Sequence, residues 1–323
     1  MKFRHLTGPI TALLIVILLL AFFLFVGSGV ASAFQTHIDP EATPGGDYFS
    51  VLTISGSIEN VTPDAFHRVG YNHNATLSHI YYAAQDAHNK GLFLYLDTPG
   101  GTVYESDELY LALKEYKEYT GRPVYAYMCS MAASGGYYVS CAADRITANR
   151  NCLTGSIGVI MGMTNLKGLY DKLGIEEVQI TSGVNKGMGS SGLQMTEEQR
   201  AIYQSIVDES YQQFVGCVEE GRPGLTRAQI LKLADGRIYT AQQAVDNGLI
   251  DGIMPQEEAL AEMQHITGAE PFITDFSGGS AVSDLFYGAR ELTPKTEAET
   301  VAELLASTPS GVPLYLANGF SGG

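Results

Sequence analysis

One serine stands among small residues in Met131-Ala132-Ala133-Ser134-Gly135-Gly136-Tyr137-Tyr138. Small neighbours and a glycine pair at the start of a helix expose a hydroxyl much as a nucleophile turn does, and the helix N-terminus adds positive potential. The segment is not G-x-S-x-G, so an α/β-hydrolase does not follow; the same serine would also serve as a plain helix N-cap. A second glycine-rich turn, Asp97-Thr98-Pro99-Gly100-Gly101, closes an apolar run. Paired glycines let backbone N–H groups face a ligand without β-carbon interference, or simply allow tight packing. A nucleophilic serine needs a base. None of the histidines (His5, His37, His67, His73, His79, His88, His265) lies between 88 and 265, the stretch that holds both turns. A triad assembled from distant segments stays open. The alternative is a lysine kept neutral by desolvation. Lys186 sits in the loop Thr181–Gly192, with no acidic residue from Val178 to Met195, and Ser190 or Ser191 could accept its hydrogen bond. An ordinary surface lysine is the competing reading.

These residues need elements to hold them. Apolar runs alternate with amphipathic stretches that end at glycine. Strands are expected at 48–58, 92–101, 123–131, 146–149 and 156–162, with an extended stretch at 176–181. Helices are expected at 75–91, 106–121, 134–144, 165–174, 196–221, 226–234 and 240–247, and Thr196 with Gln199 suits a capping box. Strand–helix alternation with short connections predicts an α/β domain, its mostly parallel sheet flanked by helices. That domain covers 48–266. Residues 35–47 read as a linker. Residues 267–323 read as a largely flexible tail with one weak helix near 297–306, although its end, VPLYLANGF (312–320), is unexpectedly apolar.

Residues Ile10–Val26 form an uncharged apolar run, with Lys2 and Arg4 before it and Asp39 and Glu41 after it. This predicts a membrane anchor over 1–34, with the N-terminus in the cytoplasm and the rest exported. Ala31-Ser32-Ala33 also fits a cleaved signal peptide. The net charge of −16 and pI near 4.8 argue against nucleic acid as a partner. Outside the cytoplasm, Cys129, Cys141, Cys152 and Cys217 could form disulfides, or act as small buried apolar residues. No C-x-x-C is present, so a zinc site is not expected.

Five segments in this order resemble the signal peptide peptidase A family of bacterial membrane-anchored serine proteases, peptidase family S49. They are Asp97–Gly101, Ser130–Tyr138, Leu153–Val159, the loop Thr181–Thr196 carrying Lys186, and Ala234–Asp251. The resemblance implies a ClpP/crotonase-like fold and a Ser-Lys dyad, with Ser134 as nucleophile and Lys186 as general base. It places Gly100 and Gly101 at the oxyanion hole. It implies acyl transfer without metal or cofactor, on remnant signal peptides and similar apolar peptides. It also implies a single-pass protein of the bacterial inner membrane, with its catalytic domain on the extracytoplasmic side. With one catalytic repeat, a ring-like homo-oligomer is expected, in which Ser134 and Lys186 could come from neighbouring protomers. The chain departs from the pattern at Gly187, where relatives often carry Asp, and at Leu193-Gln194. A crotonase-like acyl-CoA enzyme and an inactive peptidase-fold scaffold are the competing functions; export argues against the first, and the pairing of Ser134 with Lys186 against the second.

Overall fold

The computed structural model describes residues 44–60, 71–274 and 312–317. The expected anchor at 1–34, most of the linker and the weak helix near 297–306 lie outside these residues. Among the described residues no helix is long and apolar enough to cross a membrane.

Strand β1 (Tyr48–Ser55) runs parallel to β2 (Asn89–Thr98), and β2 runs parallel to β4 (Val124–Ala133). Side chains alternate across these strands. Leu52, Ile54, Leu92, Leu94, Leu96, Val124, Ala126 and Met128 enter one core cluster. Phe49, Val51, Phe93 and Tyr127 enter a second on the opposite face. Apolar side chains on both faces mean a sheet covered on both sides, which is why these strands read as continuous apolar runs. Each fully buried side chain of this size contributes about 1.5–3 kcal/mol.

The first face is covered by α1 (His73–Gln85), α2 (Val103–Thr120) and α5 (Glu197–Gly221). Helix α2 begins at Thr102, whose hydroxyl accepts the Glu105 N–H, and stops at Gly121 in the left-handed region (φ 66°). The capping box expected at the start of α5 is present: Thr196 and Gln199 satisfy each other's backbone N–H groups. The second face is covered by α8 (Gln256–Thr267), which contributes Ala259 and Met263. Neither α8 nor the edge strand β9 (Glu270–Thr274), which pairs parallel with β1, was expected from the pattern. The sheet therefore runs beyond the expected domain edge at 266.

The sheet forks at β4. Residues 125–128 pair with β5 (Arg145–Ala148), whereas 131–133 pair with β6 (Leu153–Gly155). Between these halves the β2–β4 register slips: Leu96 faces Met128, but Thr98 faces Ala132. Such a bulge strands backbone donors, and Asp97 meets them. Its carboxylate accepts the Met131 N–H at 3.1 Å and the Ser130 hydroxyl. The fork carries the last residues of β4 toward the carboxyl edge of the sheet and ends at Ser134. All six partners within this fork and its flanking strands β1, β2, β4, β5, β6, β8 (Gly252–Ile253) and β9 run parallel; β7 (Ile238–Thr240) pairs antiparallel with β6.

Two expected extended segments differ. Residues 156–162 do not form a strand: Ser156 takes a positive φ of 50° and turns the chain out of the sheet, leaving an isolated bridge at Ile160. Residues 176–181 have no strand partner among the described residues, and Ile180 is 99% exposed. The periodicity of an apolar run cannot tell a strand from an unpaired extended arm, because both expose alternate faces.

Candidate active site

Ser134 caps the six-residue helix α3 (Gly135–Ser140) by position, but its side chain makes no capping bond. Its φ of 53° is unusual for a residue with a β-carbon. Its N–H donates to the Gly155 carbonyl at 2.7 Å, tying the turn to β6. The residue is 1% exposed, and its Oγ has no hydrogen-bond partner among the described residues. A strained serine with an orphaned buried hydroxyl is a poor structural cap and a good reactive group. The two tyrosines of the motif hold α3 in place from opposite sides. Tyr137 donates to the Leu249 carbonyl at 2.8 Å, and Tyr138 to the Asp107 carboxylate at 2.6 Å. Burial, reinforced by Asp107, pushes the Tyr138 phenol well above its ordinary range, so it remains a donor.

The Asp97–Gly101 turn lies against this helix. β3 (Gly100–Thr102) is bonded on one edge to Ile58: the Ile58 N–H donates to Gly100, and the Thr102 N–H donates to Ile58. That alternation leaves the Gly101 N–H facing the other edge. The Gly100 N–H, by contrast, donates to the Thr98 hydroxyl at 3.1 Å. A β-carbon on Gly100, whose φ is 104°, would sit 2.7 Å from the Gly135 nitrogen. The first N–H groups of a helix have no carbonyl partner within it. The donors converging near Ser134 are therefore those of Gly101 and Gly135. Gly135 was not singled out by sequence, although it stands in the quoted motif; nor was Ser156, whose positive φ is visible only in the fold.

The free edge of β3 is occupied. Residues 314–316 form β10 (Leu314–Leu316), antiparallel to β3, with Leu314 opposite Thr102, Tyr315 opposite Gly101 and Leu316 opposite Gly100. On its far side Leu314 exchanges two backbone bonds with Ile160, at 2.9 and 3.0 Å. The Tyr315 carbonyl oxygen would lie 2.1 Å from a β-carbon on Gly100, so it points into the niche beside the Gly135 nitrogen. The Tyr315 ring is fully buried, stacked on Tyr138 with centroids 4.8 Å apart and tilted against Phe214 at 4.8 Å. Its hydroxyl donates to the Ser210 carbonyl at 2.9 Å. Residues 314–316 are thus an extended peptide between two edges, with one carbonyl aimed at the glycine turn.

Lys186 does not reach Ser134 in this chain, since the Ser134 hydroxyl is unpartnered. Lys186 lies exposed in a loop where its N–H donates to Gly183 at 3.1 Å. Ser190 donates its hydroxyl to Glu177 at 2.6 Å, and Ser191 accepts the Leu166 N–H through its carbonyl at 2.6 Å. The Ser190 and Gln179 hydrogen bonds hold the Glu177 carboxyl below its usual range. The arm around Lys186 exposes Leu173, Ile175, Val178, Ile180 and Val184. The four cysteines are free thiols; burial pushes those of Cys141, Cys152 and Cys217 up, to about 12 for Cys152 and about 11 for Cys217. Among the described residues no group of three or more His, Cys, Asp or Glu side chains could hold a metal ion.

The family model of Peptidase family S49 matches residues 117–270, the stretch that contains both Ser134 and Lys186. Over residues 117–270 the chain resembles peptidase family S49. A protein of Enterococcus faecium named as a signal peptide peptidase SppA is 38% identical over 66% of this chain and 62% of its own length. A protein of Synechocystis sp. named as a protease is 38% identical over 56% of this chain and 64% of its own. A protease-named protein of Methanocaldococcus jannaschii is 36% identical over 58% and 60%. The match thus spans under two thirds of the length of each of these relatives.

Proposed function

We propose that this chain is a membrane-anchored S49 serine endopeptidase that hydrolyses remnant signal peptides and similar apolar peptides by acyl transfer. The observation that carries this reading is the strand Leu314–Leu316, seated antiparallel on Gly100–Thr102 with its Tyr315 carbonyl at the glycine niche. A peptide substrate would lie the same way, and the strained, unpartnered Ser134 stands at that niche. In the reaction, neutral Lys186 takes the Ser134 hydroxyl proton while Oγ attacks the peptide carbonyl carbon. The oxyanion faces the Gly101 and Gly135 N–H groups, each such donor contributing about 3 kcal/mol to the transition state. The C–N bond breaks, the peptide amine leaves with the proton returned by Lys186, and water deprotonated by the neutral Lys186 side chain then hydrolyses the acyl-enzyme.

Two observations support a base supplied by another copy: Lys186 sits on an arm whose apolar side chains are exposed, and the Ser134 hydroxyl lacks a partner among the described residues. A ring-like homo-oligomer would bury that arm and bring Lys186 of one protomer to Ser134 of the next. The N-terminal run Ile10–Val26 would anchor the ring in the bacterial inner membrane, with the catalytic domain outside the cytoplasm. Lys186→Met is expected to abolish peptide cleavage and leave the thermal transition unchanged. Mixing Ser134→Ala and Lys186→Met proteins, unfolded and refolded together, is expected to restore part of the activity. A mixture as inactive as its components contradicts pairing between copies; appreciable activity of Lys186→Met alone contradicts Lys186 as the base.

A further inference from the structure

Past the Tyr315 carbonyl, β10 runs along a cavity of about 520 Å³ that none of the groups assigned to the chemistry fills. Leu316 forms one edge, and Val159, Val207, Tyr211 and Ile238 supply apolar wall. Its volume lies within the range of specific ligand pockets, about 300–1,000 Å³. Leu316 is only partly buried, so it leaves much of that space open. Chain direction fixes what the cavity meets. With the Tyr315 carbonyl at the niche, the bond in line for cleavage joins Tyr315 to Leu316, and Leu316 is the first residue of the departing amine. Charge adds a second constraint. Asp235 at the cavity wall is neutralised by Arg237, which donates to both its oxygens through Nε at 2.7 and 2.9 Å. Asp208, also at the wall, accepts only the neutral Gln204 amide, at 2.8 Å, among the described residues. An uncompensated carboxylate there repels an incoming one.

Resting on the peptidase reading above, we propose that this cavity is the leaving-side specificity pocket of the cleft. It selects a bulky apolar or aromatic side chain immediately after the scissile bond and rejects an acidic one. Val207 sets its depth and Asp208 its charge selectivity.

The test is a set of peptides that differ only at the residue following a common tyrosine (Ala, Leu, Phe, Lys or Glu), cleaved by the full-length protein. The expected kcat/KM order places Phe and Leu about tenfold or more above Ala, and Glu lowest. Val207→Phe should bring the Phe peptide down to the level of the Ala peptide, and Val207→Ala should raise Phe relative to Leu. Asp208→Asn should raise the Glu peptide several-fold and leave the Leu peptide unchanged. Labelling by a small fluorophosphonate, run in parallel, should be the same in all three variants. Equal rates across the series, a Lys peptide above the Phe peptide, or an unaltered preference in both Val207 variants overturns the pocket while labelling persists. An unlabelled wild-type protein overturns the peptidase reading and the pocket with it.

Discussion

Ser134 holds a backbone conformation and a buried hydroxyl that both cost stability. A positive φ costs a residue with a β-carbon roughly 1–2 kcal/mol, and an unpaired buried hydroxyl about 1–3 kcal/mol. Ser134→Gly relieves both, so it should raise stability by about 1 kcal/mol or more while abolishing activity. Chemical denaturation of the wild-type and variant proteins checks this; a less stable variant would mean that the hydroxyl has a partner in the working protein. Ser134 and Lys186 were legible in the sequence as residue types in fitting surroundings. The division of labour between the glycines was not. The Gly100 N–H is taken by Thr98, whereas those of Gly101 and Gly135 face the cleft. That choice depends on φ angles and on which edge of β3 Ile58 occupies, neither of which residue identity reports.

At the scale of elements, β10 has the most direct consequence. It fills the edge of β3 that a substrate would use, and its Tyr315 ring is fully buried against Tyr138 and Phe214. Removing residues 312–323 should therefore raise the rate at which Ser134 reacts with a small serine-directed reagent, several-fold. An unchanged rate would mean that the strand leaves the cleft freely. The sequence marked this segment only as oddly apolar, because its partner lies more than 200 residues away. Helix α1 carries a pH-dependent contribution. Burial holds the His79 imidazole down at about 4, where it bonds the Ser50 hydroxyl at 2.9 Å. The unfolded chain takes up that proton near 6.5, so the folded state is favoured above that pH and loses on the order of 3 kcal/mol as pH falls toward 4. Thermal unfolding between pH 7 and 4 should show this loss, and His79→Gln should flatten it; an unchanged slope would assign the loss elsewhere. Strand and helix positions followed from periodicity where both faces are packed. They failed at 156–162 and 176–181, where a single strained serine and an unpacked arm decide the path.

The whole molecule is an acidic α/β chain whose parallel sheet forks to deliver one serine to its edge, while the single lysine of the 173–231 stretch stands apart on an exposed arm. The acidic charge of −16 suits solubility and disfavours acidic peptides at the cleft. Fold class and family motifs were legible because strand–helix alternation and glycine turns are local properties. The separation of Ser134 from Lys186 was not, since it depends on where the arm packs, and its apolar side chains find no cover within the described part of the chain. The central claim is that Ser134 is an activated nucleophile. It is tested most directly by treating the full-length protein with a fluorophosphonate at neutral and alkaline pH and locating the adduct by peptide mass spectrometry. The account predicts one adduct, on Ser134, forming faster as pH rises and absent from Ser134→Ala and Lys186→Met. An adduct on another residue, or none on Ser134 at any pH, would contradict it.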